Sequence, residues 1–328
     1  MNTKYLIITI ISIVAMLGYI SKAKAQDAHF SQYEASEVML NSSLTGIISK
    51  KDLRIASQFR SQWGTFANKL VSTSLAIDAP IKDRWGIGAY ILNNDEAKIF
   101  NAFNLVLSGS YEITKPQQNK HKLYVGLQAG IIYKSTKAGD LIFDNQYDDG
   151  NFDPDLPSGE PLDRQSRLMP ELNYGIYYAW VEKKKIANPY LGFSLLHITS
   201  PKESFINESY ASKLPRKWIL HGGSKIQISD QITLDPRFLA MWQGKASEYN
   251  VGLNAMFLVN NKWSAIAGAS YRIKDAIIAQ LGLRYNNIIY RMSYDFNTSK
   301  LKTYSNGHGG IEFSLIITGS AKTFARII

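Results

Sequence analysis

From residue 52 onward the chain alternates apolar and polar side chains with a period of two, the spacing of strands that face two different environments. In Leu70–Ala79, Val71, Thr73, Leu75 and Ile77 alternate with Ser72, Ser74, Ala76 and Asp78. In Tyr249–Val259, the residues Tyr249, Val251, Leu253, Ala255, Phe257 and Val259 form one unbroken face. Ile311, Phe313, Leu315 and Ile317 stand opposite Glu312 and Ser314. The pattern predicts about fourteen strands, an even number, as closed single-chain bacterial barrels have. Their expected limits are Asp52–Gln62, Lys69–Ala79, Arg84–Leu92, Asn101–Thr114, Lys122–Lys134, Arg167–Glu182 and Asn188–Thr199. The series continues with Arg216–Ser229, Gln231–Gln243, Ser247–Val259, Lys262–Ile273, Asp275–Asn286, Ile288–Phe296 and Gly310–Thr318.

Aromatic residues bracket the apolar stretches in the manner of interfacial girdles: Tyr249 with Phe257, Trp263 with Tyr271, Tyr290 with Tyr294. Loop lengths sort independently of the strand limits. Every second link (Pro80–Asp83, Lys115–His121, Lys183–Ala187, Ser229-Asp230, Asn260-Asn261, Asn286-Asn287) is short and polar. The two longest, Ser135–Ser166 and Ser200–Pro215, fall at the opposite end. Short periplasmic turns and long extracellular loops are the outer-membrane arrangement. The expected fold is therefore all-β, a transmembrane antiparallel β-barrel over residues 52–319 with a tail at 320–328.

Residues 1–25 read as a secretory signal: Lys4, then the apolar run Leu6–Ile20, then Ala23 and Ala25 as small residues before a cleavage site. That run is shorter than the roughly 20 residues a spanning helix needs. Residues 26–51 are irregular and weakly helical, with a turn or two over Tyr33–Leu40 ended by Asn41-Ser42-Ser43, and form a periplasmic or plug segment.

Composition narrows the class. The formal charge of +10 falls to about +7 once the leader's three lysines are gone, and the basic residues are scattered. No nucleic-acid stripe is present and no nucleic-acid partner is expected. The absence of cysteine excludes a disulfide scaffold, a thiol nucleophile and a cysteine-linked lipid anchor. Frequent aromatics and glycines with a mean hydropathy of -0.17 suit a barrel, in which every second residue meets lipid.

Candidate chemistry is sparse. Asp144, Asp148, Asp149, Asp153 and Asp155 crowd one outer loop, but without the calcium-loop register or its terminal glutamate they read as a solvated recognition surface. His29, His121, His197, His221 and His308 sit in no hydrolase or metalloprotease motif. No enzyme, metal or cofactor is expected. On the first strand Arg54, Gln58 and Arg60 share one register and Ile55, Ser57 and Phe59 the other. With Glu112, Gln128, His221, Arg284, Arg291 and Asp295, they predict a lumen network, read either as hydrogen-bonded filling or as a channel constriction.

The start Gln26-Asp27-Ala28-His29-Phe30-Ser31-Gln32-Tyr33, followed by Leu40-Asn41 and Gly46, resembles the opening of the PorP/SprF family of the type IX secretion and gliding machinery of Bacteroidota. So do Arg60-Ser61-Gln62-Trp63, Gly86-Ile87-Gly88, Gly126-Leu127-Gln128-Ala129-Gly130, Tyr271-Arg272 with Asp275-Ala276, Ser293-Tyr294-Asp295-Phe296 and Thr298-Ser299-Lys300-Leu301. Ala28 and Ser42 stand where the family usually has proline, and Ala321–Ile328 lacks the Cys-Pro ending many members carry. The resemblance implies an outer-membrane accessory of type IX secretion or gliding motility that exports or retains a large surface adhesin. It also implies periplasmic lipoprotein and peptidoglycan-binding partners. The two long loops are expected to meet the adhesin. Gln26, Asp27, His29, Phe30, Ser31, Gln32, Tyr33 and Asn41 are expected to form a docking or plug motif. The alternative is a diffusion porin or small-molecule transporter.

Overall fold

The structure, a computed structural model, describes residues 27–48, 52–62, 69–81, 83–114, 120–137, 142–148, 151–157, 159, 165–182, 186–205, 212–300 and 302–320. The expected signal segment 1–25, Gln26, Asp149 and the tail Ala321–Ile328 lie outside them.

Among the described residues sixteen strands follow in chain order. They are β1 Leu53–Gln62, β2 Leu70–Pro80, β3 Trp85–Glu96, β4 Phe100–Glu112, β5 His121–Thr136, β6 Tyr147–Asp148, β7 Asn151–Phe152 and β8 Ser166–Trp180. Then come β9 Ala187–Leu196, β10 Lys217–Gln227, β11 Ile232–Gln243, β12 Ala246–Leu258, β13 Trp263–Arg272, β14 Ala276–Tyr285, β15 Ile288–Asn297 and β16 His308–Gly319. All except β6 and β7 pair in antiparallel order into one closed barrel of fourteen strands, β1 closing on β16. The small pair β6–β7 is a hairpin within the longest loop, which the alternation did not foretell.

Most expected limits hold to within two residues, and two shift further. The third strand runs on through Asn93–Glu96 instead of stopping at Leu92, because β2 and β4 flank it to that point. The ninth ends at Leu196, short of Thr199, because His197 turns to a φ of 56°. A non-glycine residue in the left-handed region cannot continue a strand.

The barrel is inverted relative to a soluble protein. Leu75, Leu107, Leu127, Leu253, Leu281, Tyr290 and Phe313 are exposed on its outer face, where lipid replaces water. Serine, asparagine, glutamine, arginine and acidic side chains are buried inside. No helix among the described residues is long and apolar enough to cross a membrane.

Residues 27–48 lie inside the lumen. A short helix, Glu37–Leu40, buries Val38 against Ala56, Ala76, Tyr90 and Val106, and Leu40 against Ile219, Leu239 and Met241. A 3-10 turn over Ser42–Leu44 then touches the wall itself. A row of small residues lets it do so: Gly86 pairs with Ser110, Ser110 with Gly126, and Gly126 with Gly175 across β3, β4, β5 and β8. A methyl at Gly86 would overlap the carbonyl of Thr45, one at Gly126 the main chain of Ser42 and Ser43, and one at Gly175 the side chain of Asn41. Glycine is therefore required at these positions for close approach. We expect Gly126→Ala to displace the turn and destabilise the barrel by about 1–3 kcal/mol, the usual cost of overpacking. Gly109→Ala, whose added carbon would meet only Gly86 O at 4.0 Å, is the neutral control. Urea midpoints followed by heat-modifiable gel migration compare the two, and equal midpoints would contradict the close-approach reading.

Candidate functional site: a plugged lumen

Three levels of bonding fix the plug. The central one sits at the seam where the barrel closes. Register places Arg60 of β1 opposite Glu312 of β16. Arg60 spans two acids, with Nη1 3.0 Å from Glu312 Oε2 and Nη2 2.7 Å from Asp295 Oδ2. Arg272 Nη2 reaches the same Asp295 oxygen at 2.7 Å. Asp295 occupies an irregularity in the β15–β16 register between Tyr294 and Phe296. A bulge re-aims its residue, here into the cluster.

The plug completes this cluster. Ser31 N and Gln32 N donate to the two oxygens of Glu312 at 2.7 and 2.9 Å, and Ser31 Oγ donates to Asp295. Gln32 is fully buried and satisfied: its amide nitrogen donates to Ser293 Oγ and Glu312 O, and its oxygen accepts from Ser314 Oγ. Two carboxylates, two guanidiniums and the plug backbone thus meet with all four carboxylate oxygens engaged, while Arg60 Nε is buried without a hydrogen-bond partner among the described residues. Pairing of the charges is what makes a buried ionic network tolerable.

Toward the short-turn end, Glu34 of the plug binds Arg237 at 2.6 Å and Arg291 at 2.7 Å. Glu37 pairs with Arg54, which also donates to Asp78 through Nε at 2.8 Å, and Gly46 N donates to Asp78 Oδ2 at 2.6 Å. Asn41 inserts between β8 and β9, its amide nitrogen 3.0 Å from Ile176 O, 3.2 Å from Phe193 O and 3.1 Å from His221 Nε2. Gln128 donates to Val38 O at 2.7 Å. Asp27, Glu34 and Glu37 are the plug's charged carboxylates, and lumen arginines and histidines receive them.

Toward the long-loop end, His197 holds two acids. Its Nε2 is 2.7 Å from Asp27 Oδ2 and its Nδ1 2.9 Å from Glu171 Oε2. Gln243 brackets Asp27, donating to Oδ2 at 2.8 Å and accepting from its N–H at 3.0 Å. His29 pairs with Glu248 at 2.7 Å.

A family model described as type IX secretion system membrane protein PorP/SprF matches residues 22–315. The chain belongs to this family. No curated protein matches it. Among solved structures, the CymD monoaromatic hydrocarbon channel is similar at 11% identity and a TM-score of 0.53, over 87% of this chain and 92% of that one. The Ralstonia pickettii toluene transporter TbuX is similar at 10% identity and a TM-score of 0.51, over 86% and 92%. At such identity the likeness is one of fold. This PorP/SprF protein is thus a type IX secretion component built as an outer-membrane-type barrel, and its family is one of secretion proteins rather than a known enzyme class.

The expected motif and network residues fall into separate places. Ser31, Gln32 and Asn41 are buried in the lumen and bonded to the wall, which places them within the plug. Asp27, His29, Phe30 and Tyr33 line the lumen interior. Arg60 and Asp295 join the central cluster, Gln58 borders it through Gln32 O, and Arg54, Gln128, His221 and Arg291 contact the plug lower down. Two do not belong to any tether. Glu112 pairs with Lys122 at the short-turn end, and Arg284 Nε donates to the nearby Asn286 carbonyl. Among the described residues no three metal-capable side chains converge, and Asp144, Asp148, Asp153 and Asp155 lie at or near the surface of the hairpin loop.

Glu312, Arg272, Glu34, Arg237, His197 and Glu171 were missed as site residues. Glu312 carried a signal, a carboxylate in the middle of an otherwise apolar strand. His197 carried none, since its partners lie 170 and 26 residues away.

The His197 cluster is pH-sensitive. Burial works against charge on His197, but hydrogen bonds and attraction from Asp27 and Glu171 overturn this and raise it from 6.5 to about 9. Burial would raise Asp27, but the bond and charge of His197, with Lys217 and Lys134 adding to them, hold it below its ordinary 3.8. Glu96 also faces Lys134 and Asp27. A raised histidine stabilises fully below its unfolded value and loses that contribution as pH climbs through the folded value. A lowered carboxylate stabilises above its unfolded value and loses out as pH falls. The tether is therefore strongest between about 4 and about 6.5 and released through about 9. Hydrogen-exchange protection of residues 27–31, corrected for intrinsic rate, should fall about tenfold from pH 6 to pH 10. His197→Gln should remove that dependence, and a pH-independent wild type would refute the latch.

Proposed function

We propose that this PorP/SprF protein supports export or surface retention of a large secreted adhesin through binding, its lumen serving as a braced, closed scaffold. The observation that carries this reading is the plug, which occupies the lumen and is bonded to the wall at three levels. A pore for diffusion has no need of such bracing.

On this reading the signal segment is cleaved after Ala25, the long-loop end faces outward, and the short-turn end meets periplasmic lipoprotein and peptidoglycan-binding partners. The hairpin loop supports an outward role. Tyr147 and Phe152 are exposed with ring centroids 5.9 Å apart, among Asp144, Asp148 and Asp155. Exposed aromatics amid charge are what protein interfaces favour.

Replacing residues 142–157 by a Gly-Ser linker should lower adhesin at the cell surface at least about tenfold, as loss of a hot-spot cluster does. Immunofluorescence reads the adhesin, while heat-modifiable migration verifies the barrel. Full retention with the linker would remove this loop from the proposal.

A further inference from the structure

Between the plug and the long-loop end lies a cavity of about 110 Å³. Phe30, Leu92, Ile132, Leu239 and Met241 contribute an apolar lining, and Leu214 from the β9–β10 loop lies over it. It is somewhat smaller than the roughly 150 Å³ void that admits benzene, and so matches one branched or cyclic apolar group.

Its polar atoms are unusual. Ser36 Oγ and Asn94 Oδ1 face it with no hydrogen-bond partner among the described residues, although Ser36 is 2% and Asn94 6% exposed. Asn104 Oδ1, on the strand beside Asn94, is likewise unpaired. Buried polar atoms are nearly always satisfied, and an exception points to something not yet in place. Lys217 lines the same cavity, is 7% exposed, and makes no hydrogen bond or ion pair with a described residue. Asp27 and Glu248, the carboxylates its charge acts on, are already bonded to other groups, Asp27 to His197 and Gln243, and Glu248 to His29, and Glu171 of the same lining is held by His197. Lys217 therefore retains three N–H donors for a ligand.

We propose that this cavity binds a small amphipathic organic acid bearing a hydrogen-bond donor, of the short branched hydroxy-acid type. The apolar lining takes the body, Lys217 takes the carboxylate, and the unpaired asparagine and serine oxygens take the donor. A pure hydrocarbon leaves all of these groups unsatisfied. A few convergent polar groups in an apolar pocket are the usual form of a small-molecule site. This site is separate from the outer loops of the proposed function and does not depend on them.

The test is equilibrium dialysis of the purified full-length protein in nonionic detergent, against a micelle blank, with 2-hydroxy-3-methylbutanoate as probe. 2-Hydroxy-3-methylbutanamide keeps the body and loses the charge, 3-methylbutanoate loses the hydroxyl, and toluene has neither. Saturable one-site binding of 2-hydroxy-3-methylbutanoate is expected, at least tenfold weaker for each of the other three. Lys217→Met should weaken it at least tenfold, and Ala102→Trp, which fills the cavity from β4, should abolish it. Asn104→Leu should weaken 2-hydroxy-3-methylbutanoate but not 3-methylbutanoate. Heat-modifiable migration verifies each barrel, and if a variant does not fold the ligand series on the unaltered protein decides. Absence of saturable binding, as for a cavity that holds water alone, overturns the proposal. Equal binding of the amide or of toluene, or unaltered binding by a folded Ala102→Trp, overturns it as well.

Discussion

Deleting residues 27–48 is expected to convert a barrel that passes little current into an open pore, with single-channel conductance in a planar bilayer rising by about an order of magnitude. The expectation follows from size and from what fills the lumen. Barrels of about 8 strands are filled by their own side chains, whereas those of about 16 leave an aqueous channel. At fourteen strands this barrel is too wide for its wall residues to meet across the centre. Val38, Leu40 and Leu44 occupy that centre instead, packing on opposite walls. The wall left behind keeps its own pairings, since Arg60 and Arg272 retain Asp295 and Arg54 retains Asp78. The deleted barrel should therefore still close. Equal conductance before and after deletion would mean that the lumen is blocked by something other than the plug.

Replacing Arg60 with alanine is expected to cost about 3–5 kcal/mol, the penalty for stripping one partner from a buried ion cluster. Arg60 is 1% exposed and is the group that joins Glu312 to Asp295. Without it Glu312 keeps the N–H groups of Ser31 and Gln32 but, among the described residues, faces no cation at hydrogen-bond distance, while Asp295 keeps Arg272. The loss thus falls on the seam between β1 and β16 and on the plug together. Arg60→Lys should recover only part of it, because a single ammonium cannot present the two-pronged fork that spans both acids. Equilibrium unfolding in urea, followed by gel mobility without boiling, measures the cost. A change below about 1 kcal/mol, the size of an exposed pair, would show that the cluster contributes no more than surface charge does.

The strands were readable in the sequence because lipid on one side and a polar lumen on the other impose a strict period of two. Leu75 and Ser74, or Phe313 and Glu312, announce their faces without reference to any partner. The lumen register of Arg54, Gln58 and Arg60 was legible for the same reason. What they bind was not. Arg60 meets Glu312 through a pairing 252 residues apart, and Ser31 meets it across 281. No local pattern encodes such distances.

The plug was hidden for a further reason. Residues 27–48 show neither a helical nor a strand period, because their partners approach from all sides of a cylinder. Gly86 and Gly126 were visible only as fragments of a family resemblance. Their physical meaning, a wall bare enough for the main chain of Thr45 and Ser42 to rest on, appears once β3, β4, β5 and β8 are aligned. His197 shows the other limit. Its left-handed backbone and two carboxylate partners arise from a strand that stops three residues before its apolar pattern does.

The link from Ser31 and Gln32 to Glu312 also constrains the order of assembly. The first described segment of the chain takes its final bonds from the last strand, β16, which itself completes the ring by pairing with β1. Loop closure over so many residues carries an entropic cost that is not recovered until both contacts form. The amino-terminal segment therefore gains these bonds only once the last strand is in place, and a chain that lacks its final strand lacks both the sealed ring and the seated occupant.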